Sequence, residues 1–420
     1  MAGSARQGAL WLLGQVLNDR RLLSELTGAP QHQRLEPGDR ARALRLTLET
    51  LRGLERADRV VKPYLRKMPP LAVRNVLRLA TVELCQGGDA HGVVNEAVEY
   101  VRRGKRTASY GGLVNAVLRK VATEGAEKWA ELRVPRLAKW LRQPLVQAWG
   151  ADAVAAMEVV HFTGAPLDLS LKAADWDQGP AADLAAEVLP TGSLRLSNPG
   201  QVSALPGFAE GAWWVQDAAA ALPVRGLSDV SGLKVLDMCA APGGKTLQLA
   251  AGGADVTALD ISESRLGRLR ENLQRTGLTA AIVASDALAF QGTFDAIVLD
   301  APCSATGTIR RHPDLPLARD GAEIGGLIEL QAAMIDHALT LLKPGGRLIY
   351  CTCSLLPDEG ESQIDEALER HPGLRVVPEA FDLPGIEKDW RSSEGGIRLR
   401  PDYWAERGGM DGFYMACLSR

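Results

Sequence analysis

At 420 residues, 46% hydrophobic and 24% charged, the chain has the composition of a soluble globular protein with room for two or three domains. No apolar run approaches a membrane span, the N-terminus lacks a secretory layout, and the six cysteines follow no disulfide framework, so a cytoplasmic protein with reduced thiols and no membrane contact is expected. The net charge of −3 divides unevenly, with 21 Lys and Arg against 12 Asp and Glu in residues 1–125, a balance of +9 that leaves −12 on the remainder. A basic first part suits a polyanionic partner, although solvated helix faces would give the same count.

Residues 1–125 read as helices throughout. Ala9, Leu12, Leu13, Val16 and Leu17 recur at helical spacing, as do Ala43, Leu44, Leu48 and Leu51, then Val73, Val76, Leu77, Ala80 and Leu84. Turn signals at Gly28-Ala29-Pro30, Pro69-Pro70 and Gly87-Gly88 separate them, which makes an all-α bundle. Arg102-Arg103-Gly104-Lys105-Arg106 is a basic loop suited to phosphate contact or simply to solvent. Residues 126–226 read as a small α+β connector: Trp129, Trp140 and Trp149 lie in short helical segments, and Leu167 to Lys172 alternates as a strand. Trp213-Trp214 could stack on a base, but core packing is the expected use.

From residue 227 to 420, strands alternate with helices. The run Lys234 to Met238 breaks into Cys239-Ala240-Ala241-Pro242-Gly243-Gly244-Lys245-Thr246 and then into a helix, the opening unit of a nucleotide-binding α/β fold. The loop has neither the glycine spacing of a dinucleotide site nor that of a P-loop, so a nucleoside without pyrophosphate fits better. There follow a strand over Asp255 to Asp260, a helix over Ser262 to Thr276, a strand over Ala281 to Ala284 leading to Asp286, and a strand over Phe294 to Leu299 ending in Asp300. A helix over Ile324 to Leu342, a turn at Lys343-Pro344-Gly345-Gly346, a strand over Arg347 to Cys351 and a last hairpin strand within Asp411 to Leu418 complete a doubly wound, Rossmann-like sheet. Asp237, Asp260, Asp286 and Asp300 then converge on the rim formed by the carboxyl ends of the strands.

Two cysteines end adjacent strands, in Asp300-Ala301-Pro302-Cys303-Ser304 and in Tyr350-Cys351-Thr352-Cys353-Ser354. A disulfide is disfavoured by compartment, and too few His and Cys converge for a metal, so none is expected. Buried structural thiols remain the alternative, more for Cys85, Cys239, Cys351 and Cys417 than for Cys303 and Cys353.

The N-terminal part resembles the NusB-like RNA-binding bundle. The runs Asp237 to Lys245, Asp300 to Gly307, Arg310-Arg311-His312-Pro313-Asp314 and Thr352-Cys353-Ser354 resemble those of the RNA cytosine-5 methyltransferases of the NOL/NOP/Sun type. The sequence departs from that family at Gly360, where asparagine is frequent, and at Cys351, where a small non-thiol residue is common. The resemblance implies a class I methyltransferase fold using S-adenosyl-L-methionine (SAM), and the domain order implies 16S ribosomal RNA as partner. By the same resemblance, Cys353 is the nucleophile that adds to carbon 6 of cytosine, and Cys303 assists proton removal or release, the reverse of the DNA enzymes. Asp300 would hold the cytosine edge and line the cofactor pocket, and Lys245 would raise the local positive potential. Cys239, Ala240, Ala241, Pro242, Gly243, Gly244 and Lys245 would wrap the methionine and ribose portion of the donor. Asp260 would bind the ribose hydroxyls, Asp286 the adenine amino group, and Arg310, Arg311 and His312 the RNA. Two further readings stay open: a non-catalytic RNA-binding assembly factor, and the same chemistry on transfer RNA or DNA. A monomer is the default expectation.

Overall fold

A computed structural model describes residues 4–173, 183–197 and 199–420, which divide into two units. The first comprises the chain up to Gly164 together with Ile309–Asp320; the second holds Ala165–Thr308 and Gly321–Arg420.

Helical periodicity builds the first unit: α1 (Ala5–Leu17), α2 (Pro37–Arg52), α3 (Leu54–Val61), α4 (Leu71–Cys85), α5 (Ala90–Arg103), α6 (Gly111–Glu131), α7 (Lys139–Trp149) and α8 (Ala151–Thr163). Polar caps start two of them, Ser4 accepting from the Gln7 N–H and Asp89 from the Gly92 N–H. The apolar stripes meet in one core that includes Leu12, Leu13, Val16, Leu77 and Leu118. α4 is buried on most sides, and its Arg78 reaches Asp58 through two 2.7 Å hydrogen bonds. The Ile309–Asp320 segment is fastened into this unit: Asp314 accepts from the Leu23 N–H at 2.8 Å, the Trp140 indole donates to the Pro316 carbonyl at 3.1 Å, and Arg52 donates to the Arg310 carbonyl at 2.8 Å.

The expected break at residue 125 falls inside α6. Gly125 lies buried in mid-helix, where a Cβ would come within 2.8 Å of Val121 Cγ1 and 3.3 Å of the Cys85 sulfur. Close packing, not chain reversal, selects glycine there. The connector expected over 126–226 is correspondingly divided, its helices α7 and α8 belonging to the first unit and its strands to the second.

In the second unit β1 (Leu167–Leu171), β2 (Glu187–Val188), β3 (Leu194–Leu196) and β4 (Trp213–Val215) form an antiparallel sheet in the order β2-β3-β1-β4. A buried Arg195–Asp168 pair, with two 2.7 Å hydrogen bonds, fixes β3 against β1. Both tryptophans of β4 are buried, so packing is their role.

After α9 (Ala218–Arg225) comes the large sheet, in which β5 (Lys234–Met238), α10 (Gly244–Ala251), β6 (Asp255–Asp260), α11 (Glu263–Thr276), β7 (Ala281–Ala284), β8 (Phe294–Asp300), α12 (Ile324–Leu341) and β9 (Leu342–Thr352) alternate as expected. The Lys343 to Gly346 turn is absorbed as an irregularity in β9: the partner of Phe294 is Leu342 and that of Ala296 is already Arg347. α13 (Glu361–Arg370), β10 (Arg375–Val376), β11 (Ile397–Leu399) and β12 (Phe413–Ser419) follow. The order is β10-β12-β9-β8-β5-β6-β7, with β11 also paired to β12. The last strand pairs antiparallel with β11, the strand before it, as the expected hairpin requires, and is wholly buried between β9 and β10. The parallel order reverses direction at β5, which puts the crevice for a ligand beyond the carboxyl ends of β5, β6 and β8. No helix among the described residues is long and apolar enough to cross a membrane.

Candidate active site

The loop after β5 turns sharply, with Cys239 at φ +64° and Gly243 at φ +110°. Gly243 opens α10, and a Cβ there would lie 2.3 Å from Leu269 Cδ1, so glycine is required both by backbone sign and by space. The free N–H groups of the first turn of α10 face the end of this loop.

α10 sends two side chains back toward the sheet. The Thr246 hydroxyl donates to Asp237, and Lys245 Nζ donates to Asp300 Oδ2 at 2.7 Å. Asp237 is wholly buried, and its Oδ1 has no hydrogen-bond partner among the described residues. Burial pushes its carboxyl up to about 7, against the opposing Thr246 bond and the charge of Lys245. Burial works against the charge on Lys245, but Asp300 with Cys351 and Asp237 outweighs it and holds the ammonium above its ordinary value. Asp300 keeps a third of its side chain exposed, enough to present one edge to a ligand.

Asp300 pairs with Cys351 across β8 and β9, which places the next turns side by side. The Cys303 and Cys353 sulfurs lie 3.5 Å apart, both half-buried. That hydrogen bond first, then burial and the Glu359 charge, push the Cys303 thiol up. Cys351, whose role the sequence left unassigned, is buried with its sulfur 3.6 Å from Asp300 Oδ1, and burial raises its thiol strongly. Burial, aided by Asp300 and Asp260, pushes Cys239 up to about 12. All six cysteines are free thiols, and no group of His, Cys, Asp or Glu among the described residues could hold a metal.

Asp260 and Asp286 stand at the next two strand ends. Asp260 accepts from the Ala241 N–H at 3.1 Å and the Ser262 N–H at 2.8 Å, with Arg265 at 3.7 Å, so it ties the Cys239–Gly244 loop to β6. Asp286 is exposed and accepts locally from the Leu288 N–H at 2.9 Å. Ile261, 74% exposed, and Leu288 follow these acids as solvent-facing apolar groups that the sequence reading passed over.

Arg310, Arg311 and His312 fall in the segment that groups with the first unit. Arg310 has no exposed surface, unlike a side chain lying open to RNA. Burial and Arg311 push His312 down to about 4, which leaves it neutral at physiological pH. Sequence reasoning also missed Glu359, wholly buried and bonded to Ser304, Ser354 and Gln331.

Comparison with known proteins gives matches over both parts of the chain. Residues 226–419 match the family described as 16S rRNA methyltransferase RsmB/F, and residues 3–123 match the NusB family. The chain is 36% identical to Ribosomal RNA small subunit methyltransferase B of Vibrio cholerae over 99% of its own length and 98% of that protein. It is also 36% identical to the protein of the same name from Pseudomonas putida, over 98% of both chains. Among solved structures, a methyltransferase homolog protein from Pyrococcus horikoshii superposes with a TM-score of 0.55 at 27% identity, covering 67% of this chain and 94% of that one.

Proposed function

The chain belongs to the 16S rRNA methyltransferase RsmB/F family, and from that membership we propose that it moves a methyl group from SAM to carbon 5 of a cytosine in 16S ribosomal RNA through a covalent Cys353–cytosine intermediate. The observation that carries the proposal is the Cys303–Cys353 pair, 3.5 Å apart beside the Asp300 edge. Carbon 5 of cytosine is a poor nucleophile, and a thiolate added at carbon 6 makes it enamine-like. Two neighbouring thiols supply one group to add and another to serve departure.

The residues present fit the donor. The tight loop from Cys239 to Gly243, the free N–H groups opening α10, the buried carboxylate of Asp260 and the apolar flanks Ile261 and Leu288 suit an amino acid joined to a nucleoside. When bound, SAM supplies an electrophilic methyl on a cationic sulfonium. Asp260 binds the ribose hydroxyls, Asp286 the adenine amino group, and Cys239 to Lys245 wrap the remainder.

On the base, the Cys353 thiolate forms a bond to carbon 6 while Asp300, oriented by Lys245, stabilises the protonated ring edge. Carbon 5 takes the methyl. Its proton then leaves, the sulfur–carbon 6 bond breaks, and Cys353 departs as thiolate, with Cys303 as the proton-transfer group beside it. The target cytosine has to be unstacked for this approach, so single-stranded or opened RNA is the substrate form.

The test is transfer of radiolabelled methyl to 16S RNA by wild type, Cys353→Ala and Cys303→Ala, with the modified base identified. Label in 5-methylcytosine with wild type, none with Cys353→Ala and a persistent protein–RNA adduct with Cys303→Ala are expected. A Cys353→Ala protein that still methylates would overturn the assignment of the nucleophile.

A further inference from the structure

Glu359 sits in the turn Pro357–Glu359 between β9 and α13, with no exposed surface. Its carboxylate is divided between the two cysteine loops. Oε1 accepts from the Ser304 N–H at 2.9 Å and from Gln331 Nε2 at 3.0 Å, while Oε2 accepts from the hydroxyls of Ser304 and of Ser354, the latter at 2.6 Å. Ser304 directly follows Cys303, and Ser354 directly follows Cys353. The same residue's carbonyl accepts from the Tyr350 hydroxyl at 3.0 Å and the Thr352 hydroxyl at 2.9 Å, holding the end of β9 from the other side. Gln331 extends the clamp by donating to the Pro302 carbonyl at 2.8 Å, immediately before Cys303.

A carboxylate is a strong acceptor with four lone-pair sites, and here each is directed at a donor on one of three segments. The bonds are buried, so water does not compete for them. We infer that Glu359 is the positioning residue of the two-cysteine centre, locking the loop of Cys303 to the loop of Cys353 so that their sulfurs stay within reach of one base. The inference rests on the methyltransferase reading above for its consequence in catalysis, while the geometry it describes can be measured without catalysis.

Glutamine is the informative replacement. Its carbonyl can keep the Ser304 N–H and Gln331, and its amide can donate to the two serine hydroxyls, which rotate to accept. Alanine keeps none of these contacts. The experiment uses full-length protein, with folding checked by thermal melts, and two readouts on wild type, Glu359→Ala and Glu359→Gln. The first is cross-linking by dibromobimane, which fluoresces when it bridges two nearby thiols, with the bridged pair mapped by mass spectrometry. The second is steady-state methylation of 16S RNA.

Wild type should give a Cys303–Cys353 bridge. Glu359→Ala should lose at least tenfold in bridging rate and in kcat with KM for donor and RNA unchanged, and Glu359→Gln should recover both to within about threefold of wild type. Should Glu359→Ala not fold, the Ser304→Ala/Ser354→Ala double variant, which removes the Oε2 contacts, is expected to show the same loss of bridging. A folded Glu359→Ala protein, or that double variant in its place, that bridges at the wild-type rate overturns the inference. Loss of bridging together with a wild type that transfers no methyl would leave Glu359 as positioner and sink the methyltransferase reading instead.

Discussion

Asp237 offers a test of the site's electrostatics that needs no substrate. Its carboxyl is pushed up to about 7 by burial, against an ordinary value near 3.8. A carboxyl whose folded value is raised favours the neutral form in the fold, so its contribution is full below the unfolded value and is lost as pH rises through about 7. The linkage relation puts the cost of ionising it at about 2 kcal/mol at pH 5 and about 4 kcal/mol at pH 8, a difference of about 2–3 kcal/mol. Asp237→Asn removes the charge while its carbonyl can still accept from Thr246. The amide then sits where Oδ1 has no partner, a pH-independent cost of about 1–3 kcal/mol. The readout is therefore the change of ΔΔG with pH, from urea unfolding of both proteins without ligand between pH 5 and 8.5. The variant should gain about 2–3 kcal/mol on wild type from pH 5 to 8. A flat ΔΔG, or one that moves the other way, would refute the account of Asp237 as a buried acid near neutrality.

Other outcomes follow from the same structure. Arg310→Ala should cost about 3 kcal/mol of stability, because it empties a wholly buried site. It should leave the salt dependence of RNA binding unchanged, whereas loss of a phosphate contact would lower the slope by about 1. Gly243→Ala, which forces a side chain into φ +110° and against Leu269, should cost about 1–3 kcal/mol and abolish saturable binding of the methyl donor in calorimetry. Brief alkylation with iodoacetamide at pH 7.5, mapped by peptide mass, should be slow at Cys85, Cys239, Cys303, Cys351 and Cys417. The thiols of Cys85, Cys239, Cys303, Cys351 and Cys417 are all pushed upward, by burial in every case and for Cys303 first by its bond to Cys353. Rapid labelling of any of these five would contradict this.

What the sequence disclosed was local chemistry. β-Branched runs ending in aspartate announced β5, β6 and β8 because a parallel strand buried on both faces must be apolar along its length, and the strand-end acids were visible in the same reading. Cys303 and Cys353 could be paired because each closes one of two adjacent strands. Long-range facts were out of reach. Arg310 sits in a charged run that looks like a surface loop, and only the fold reveals that its segment is buried in the helical unit. Glu359 meets partners at positions 304, 331 and 354, contributed by three separate segments, and no spacing rule connects them. The change of pattern near residue 125 is legible in the sequence, while the helix itself runs on through Gly125 to Glu131.

Gly360 departs from the asparagine frequent in the family, and its surroundings say why. A Cβ there would lie 2.4 Å from a guanidinium nitrogen of Arg398 and 2.7 Å from the Tyr414 ring. Arg398, buried and bonded to Glu361 and to the Ser354 carbonyl, fills the volume that a larger residue at 360 would occupy. Positions 360, 398 and 414 thus share one small volume. A side chain at 360 requires both the Arg398 guanidinium and the Tyr414 ring to give way. A graft of the Cys353 loop that brings a side chain to position 360 therefore has to make room at both of these distant partners.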